Sequence, residues 1–228
     1  MTDLEATARN DPPWRERAVS RSLNAARSRA ELRVQRFLDA AFELIDEKGT
    51  TEFTIQEVID RSQQSLRGFY QYFDGKDELL LALFEETLRE ATDDLRSVAE
   101  SEEAPIDALR AFTIRLYEWC DPSERPRRRS THSRRPIMDF AVQLTADYSE
   151  RVKAALAPIA RMMVQLVDAA NADGSITVPD VRRAAAIMQQ TVMYSWFGKG
   201  LAENVRTRLS AEATWEFCLY GLGAPRER

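Results

Sequence analysis

Between Leu32 and Leu79 the chain reads as three short helices, closed by the aromatic run Phe69-Tyr70-Gln71-Tyr72-Phe73 and followed by Lys76-Asp77-Glu78-Leu79, which opens a fourth. Helices this short are not stable alone, so the three must pack on one another. In the first, Val34, Phe37, Leu38, Ala41, Phe42 and Ile45 recur three and four apart and share one face. Arg33, Arg36, Asp39, Glu43, Asp46 and Glu47 turn to water, and Gly49 stops the helix. Thr54 with Glu57 three residues on forms a capping box, so a second helix is predicted from Ile55, with Ile55, Val58 and Ile59 inward. Ser62-Gln63-Gln64 is polar and aperiodic, and Ser65 is a fitting N-cap for a third helix running to about Phe73.

On that third helix Leu66, Phe69 and Phe73 lie along one side and Arg67, Tyr70 and Gln71 project from another. An arginine can hydrogen-bond a guanine edge in two places and a glutamine an adenine edge, while a tyrosine hydroxyl suits a phosphate oxygen. Taken singly, Arg67 and Gln71 read as solvated surface residues. Together with the three-helix spacing they give the layout of a helix-turn-helix reader of duplex DNA.

The segment from about Arg33 to Leu88 resembles the DNA-binding domain of TetR-type transcriptional regulators. The resemblance rests on an apolar first helix ending Glu47-Lys48-Gly49, on Phe53-Thr54-Ile55, on Ser65 opening the third helix, and on the aromatic run with Lys76-Asp77-Glu78-Leu79. It implies that Thr54, Ser65, Arg67, Tyr70, Gln71, Tyr72 and Lys76 lie at or near DNA, mostly on phosphates. Several residues depart from the family pattern. Gln63-Gln64 stands where Gly-Val is usual, removing a residue suited to positive backbone angles and predicting a looser or differently shaped turn. Leu66 replaces a common Lys or Arg and is left to touch a thymine methyl. Gly68 costs the helix about 1 kcal/mol relative to alanine but lets the backbone approach DNA closely. Gly75 replaces a usual Ser cap at a cost of a few tenths of a kcal/mol.

At 228 residues and 44% hydrophobic content the chain can bury one small and one larger helical unit. With nine prolines, eight glycines and no convincing alternating stretch, the expected class is all-α. No run of eighteen apolar residues predicts a membrane span, no apolar signal core opens the chain, and a cytoplasmic protein without membrane association is expected. Cys120 and Cys218, far apart in helical segments, read as buried thiols. His132, the sole histidine, stands in an Arg-rich loop without the partners of a metal site or a catalytic triad. No Gly-rich phosphate loop appears, so neither a cofactor nor an enzyme is predicted.

A formal net charge of −5 opposes DNA binding on the whole-chain sum, but the distribution is uneven. From Trp14 to Arg36 seven arginines (Arg15, Arg17, Arg21, Arg27, Arg29, Arg33, Arg36) face only Glu16 and Glu31. Local field matters more than the sum. Residues 1–30 therefore read as a basic N-terminal arm, equally a phosphate-following extension or a disordered polar tail. Residues 31–75 form the helix-turn-helix unit and 76–228 a ligand-binding and dimerisation domain. A second basic cluster, Arg125, Arg127, Arg128, Arg129, Arg134 and Arg135, is broken by Pro122, Pro126 and Pro136. It reads as a solvated loop, with additional phosphate contacts or the uptake of an acidic partner the sharper alternative.

Beyond the reader, a long fourth helix is predicted from Asp77-Glu78, a fifth from Pro105, a short sixth through Ile137, Met138, Phe140, Ala141 and Leu144, and a seventh from Tyr148 to Ala170, kinked at Pro158. Two more follow, about Asp180 to Val205 and Ser210 to Leu222. Their dense aromatic and methionine residues are mostly core. The resemblance implies that helices four to eight enclose an inducer pocket, for which Phe84, Leu88, Phe112, Leu116, Trp119, Phe140, Met162, Met163, Met188 and Phe197 are the candidates. Such a lining favours a small apolar or amphipathic effector. It also implies a dimer interface on the last two helices, with Ile187, Thr191, Tyr194, Trp215 and Leu219 as candidates. Dimerisation follows independently from the reader, since one short helix covers too little of a near-palindromic operator in double-stranded DNA. The expected function is a DNA-binding regulator, a repressor released by its effector. The alternative is a helical small-molecule carrier or accessory protein with a vestigial helix-turn-helix.

Overall fold

The computed structural model describes residues 13–120, 148–201 and 210–223, and all regular structure among them is helical. The elements are α1 (Pro13–Lys48), α2 (Ile55–Ser62), α3 (Leu66–Phe69), α4 (Lys76–Glu100), α5 (Pro105–Cys120), α6 (Ser149–Ala172), α7 (Val181–Leu201) and α8 (Ala211–Gly221). The expected short sixth helix, His132 and the Arg125–Arg135 cluster lie outside the described residues. None of the described helices is long and apolar enough to cross a membrane.

α1 begins some twenty residues earlier than the predicted first helix. Pro13 suits a first helical turn, where its missing N–H is no loss. Val19, Leu23, Ala26 and Ala30 then continue, three and four apart, the stripe that Val34, Phe37 and Ala41 carry into the core. Charge density hid this periodicity: arginines are good helix formers, yet a basic run reads as an arm.

α1, α2 and α3 pack around Phe37, Ile45, Val58 and Phe69, all buried. Arg61 on α2 donates to both oxygens of Glu47 at 2.8 and 2.7 Å and to Glu43 at 3.2 Å, tying α2 to α1. α4 contacts α1 on one side and α5 and α6 on the other. Leu79, Leu80, Leu81, Leu83 and Phe84 are therefore buried over more than half of its circumference. Gly75 offers no side-chain cap to α4; instead Glu78 accepts the Asp74 N–H at 2.6 Å. The remaining helices wrap α5, whose Leu109, Phe112 and Thr113 are fully buried. α6 runs through Pro158. Arg151 near its start donates to both carboxylate oxygens of Glu85 on α4, at 2.9 and 3.0 Å, and stands 3.6 Å from Glu78.

Candidate nucleic-acid interface

The second helix is started as the sequence predicts. Thr54 Oγ1 accepts the Glu57 N–H at 3.2 Å, and Glu57 Oε2 accepts the Thr54 N–H at 2.8 Å. Lys48 at 2.7 Å adds a cation, and together these contacts hold the Glu57 carboxyl down at about 2. The Thr54 hydroxyl also donates to Glu57 at 3.0 Å, so its proton is already engaged.

The turn keeps its tight shape without glycine. Gln63 sits at φ 55°, ψ 35°, the one positive-φ residue other than glycine among the described residues, and the Gln64 N–H returns to the Ile59 carbonyl at 3.3 Å. The looser turn expected from the sequence is not what the chain adopts; the glutamine bears the left-handed strain instead, on the order of 1–2 kcal/mol. Gln63→Gly is therefore expected to stabilise the protein. The gain is about 0.5–1 kcal/mol after the added freedom of glycine in the unfolded chain is counted, read as a higher denaturant midpoint at unchanged slope.

α3 is one helical turn rather than a helix to Phe73. Beyond Phe69 the chain closes with Tyr72 and Phe73 N–H groups both donating to the Phe69 carbonyl, at 2.9 and 3.0 Å. Aromatic packing fixes this turn. The Phe69 ring meets Phe37 edge-on at 5.5 Å and Phe73 at 5.3 Å, and Phe73 meets Phe37 at 6.2 Å. Leu66, expected beside Phe69 and Phe73, is 49% exposed, because α3 is too short for its first residue to reach the core that Phe69 fills. Ser65 Oγ accepts the Gly68 N–H at 3.0 Å and keeps its own proton available. A side chain at Gly68 would stand 3.1 Å from that hydroxyl, so the glycine also makes room for the cap.

The candidates thus divide. Thr54, Ser65, Leu66, Arg67, Tyr70 and Gln71 are exposed on one edge, Tyr70 at 53% with its ring edge-on to Phe69 at 5.4 Å. Gly68 and Tyr72 are half-buried, Tyr72 against the core. Lys76 is half-buried with Nζ 5.0 Å above the Phe53 ring. Gln63, exposed beside this edge, was not singled out for contact by sequence, which registered only the missing glycine.

The sequence profile of the bacterial regulatory proteins of the tetR family matches residues 37–83. Over that stretch the chain is similar to the DNA-binding domain of the bacterial regulatory proteins of the tetR family. It is 31% identical over 81 residues to the HTH-type transcriptional regulator BetI of Brucella suis biovar 1 (strain 1330), a match covering 36% of this chain and 41% of that relative. The match thus spans about two fifths of the curated relative's length. The fold is that of a tetR-family protein from Rhodococcus RHA1, with TM-score 0.60 at 16% identity over 85% of this chain and 98% of the other. It is also that of the regulator FadR from Bacillus subtilis in complex with stearoyl-CoA, with TM-score 0.60 at 15% identity over 82% and 96% of the two chains.

In the larger helical part of the chain, a cavity of about 30 Å³ lies between α4, α5, α6 and α7. Thr87, Leu88, Ala91, Leu116, Trp119, Cys120, Leu156, Ile159 and Met193 line it. The lining is apolar in effect, since the Thr87 hydroxyl donates to its own helix at Leu83 O, 2.8 Å, and Trp119 Nε1 to Asp94 at 2.6 Å. Burial pushes the Cys120 thiol up to about 12, which keeps it neutral. Of the predicted ligand residues, Leu88, Leu116 and Trp119 reach the cavity. Phe84, Phe112, Met163 and Met188 are core, and Met162 is half-buried away from it. Phe140 and the Phe197 side chain lie outside the described residues. Sequence favours large side chains, but large side chains fill space; the cavity opens where Thr87 and Ala91 leave it.

Among the dimer candidates, Ile187 and Tyr194 on α7 are 58% and 67% exposed, and Thr191 between them is half-buried. Trp215 is buried in its own chain and Leu219 packs against the core. The exposed aromatics of α8 are instead Phe217, 70% exposed, and Tyr220.

Proposed function

We propose that the chain is a sequence-specific DNA-binding transcription regulator of the cytoplasm that works as a homodimer and is released from its operator by a small apolar or amphipathic effector. The observation that carries this reading is the Ser65-Leu66-Arg67-Tyr70-Gln71 edge, exposed yet mounted on the buried Phe37-Phe69-Phe73 cluster. A rigid mount with free polar ends is what base readout needs. Residues 31–75 are the reading unit, and 76–228 the effector and pairing unit. Ile187, Tyr194, Phe217 and Tyr220 supply apolar area on α7 and α8 for a second copy, which would set two reading edges about 34 Å apart on successive major grooves.

The effector enters this scheme through volume. A cavity of about 30 Å³ accommodates one water, far less than the several hundred Å³ a small-molecule ligand fills. Binding therefore means separating α4 from α6. Arg151 clamps those two helices at Glu85 and Glu78, and Glu78 also holds Asp74 at the end of the reading unit. An expanded cavity strains this chain of contacts and re-aims the reading edges. The fold neighbour FadR, in complex with stearoyl-CoA, supports an amphipathic effector. Reciprocal coupling of about 1–3 kcal/mol between DNA and effector is expected.

Selection of bound duplexes from a random pool by the purified protein tests the reading. The expected product is a near-palindrome whose half-sites lie about one helical turn apart, bound by two copies in sedimentation. Failure to enrich any sequence favours a carrier.

A further inference from the structure

The first half of α1 has no role in the three-helix reader. Its first buried residue is Phe37, so residues 13–29 extend about 25 Å beyond the part of the helix that packs. This segment is a rod projecting from the reader, where sequence alone left an arm or a disordered tail. From its end into the packed part of α1, Arg29, Arg33 and Arg36, spaced four and three apart, lie on a single face. All three are exposed, and none has an ion-pair partner among the described residues. Glu31, on the other side of the helix, is engaged by Arg27 at 2.8 Å. Asp39 accepts from Gln35 at 2.8 Å, and Glu43 is held by Arg61 at 3.2 Å.

Like charges three and four apart destabilise a helix, and no ion pair among the described residues relieves them. Burial cannot compensate, because Val19, Leu23 and Leu32 are themselves exposed. An anion is the missing partner, and the position of the face says which. Arg36 precedes Phe37, whose ring packs on Phe69 of the reading turn, and shares a surface hollow with Ser62 and Gln63 at the turn before it, where Arg61 and the carboxylates of Asp39 and Glu43, engaged by Gln35 and Arg61, also stand. Guanidinium groups favour phosphate through paired hydrogen bonds. We infer that α1 is a rigid phosphate-binding strut: Arg29, Arg33 and Arg36 grip the backbone of duplex DNA flanking the site that α3 reads, and so lengthen the footprint without adding sequence preference. This rests on the reading of α3 as the DNA-facing element.

The test uses the full-length protein and two fluorescent duplexes, one of random sequence and one from the selection above, titrated across a salt series. Changing Arg29, Arg33 and Arg36 together to Gln should lower the slope of log affinity against log salt by about 0.9 per lost contact. It should also weaken binding at 0.15 M salt by about 10- to 100-fold per protomer, by the same factor on both duplexes. The triple Lys variant, which keeps the charges, should restore most of the slope and shows that the Gln variant has not simply unfolded. An unchanged slope on both duplexes overturns the inference. So does loss of binding to vesicles rich in anionic phospholipid with DNA affinity intact, which would make the strut a membrane contact. If instead the Arg67→Ala/Gln71→Ala variant keeps its preference for the selected duplex, the reading of α3 fails, while the salt slope on random duplex still decides the strut.

Discussion

Replacing Arg67 and Gln71 together with alanine is expected to remove discrimination between operator and random duplex while leaving the protein folded. Both side chains are exposed and make no hydrogen bond among the described residues, so their loss should change stability by less than about 0.5 kcal/mol. Each is suited to a bidentate base contact worth about 1–3 kcal/mol of discrimination. The pair therefore supplies about 2–6 kcal/mol per half-site, or roughly 30-fold at the least. Anisotropy titrations at fixed salt measure it. Affinity for the selected duplex should collapse toward the random-sequence value, and the salt slope should barely move because phosphate contacts survive. Tyr70→Phe is the contrasting case. It removes only an exposed hydroxyl suited to a phosphate oxygen and should weaken both duplexes alike. Retained preference for the selected duplex in the double variant would mean that recognition lies elsewhere on the surface.

What could be read from the letters follows from how local each signal is. The Thr54–Glu57 box, the Gly49 stop and the Ser65 cap are contacts within three or four residues, and all three form where spacing puts them. The length of α3 was not local. Whether helix continues past Phe69 depends on Phe73 reaching Phe37, thirty-six residues away, and that long-range packing closes the segment as a turn. Gln63 shows the same limit in reverse: tertiary packing holds a glutamine in a conformation its side chain disfavours. The long α1 is present in the continued stripe through Ala30, Ala26, Leu23 and Val19, but the dense arginines between these residues mask that periodicity. In the larger domain the faces were legible and the partners were not. Trp215 and Phe217 are both large and apolar on one short helix, and only the packing of α8 on α5 decides that Trp215 turns inward and Phe217 outward.

The dependence of the reading edge on its aromatic mount gives the other large effect. Phe69→Ala should abolish operator binding although the Phe69 side chain is fully buried. Its ring is fully buried and meets Phe37, Phe73 and Tyr70 at centroid distances of 5.3 to 5.5 Å, so truncation leaves a cavity beneath the four-residue helix that carries Arg67. Phe→Ala in a core costs about 3–5 kcal/mol, a large part of the 5–15 kcal/mol that holds an ordinary domain together. Three short helices have little reserve, whereas α5 and α6 keep their own buried neighbours Phe112, Ile159 and Met163. Amide exchange should accordingly lose its protection in α1 from Phe37 onward, in α2 and in α3, while α5 and α6 stay protected. Phe69→Leu, which refills part of the space, should recover more than half of the lost stability and some operator affinity. If exchange in the reading unit were unchanged by the alanine variant while binding vanished, Phe69 would be acting through direct contact, and the mount would have to be assigned to other residues.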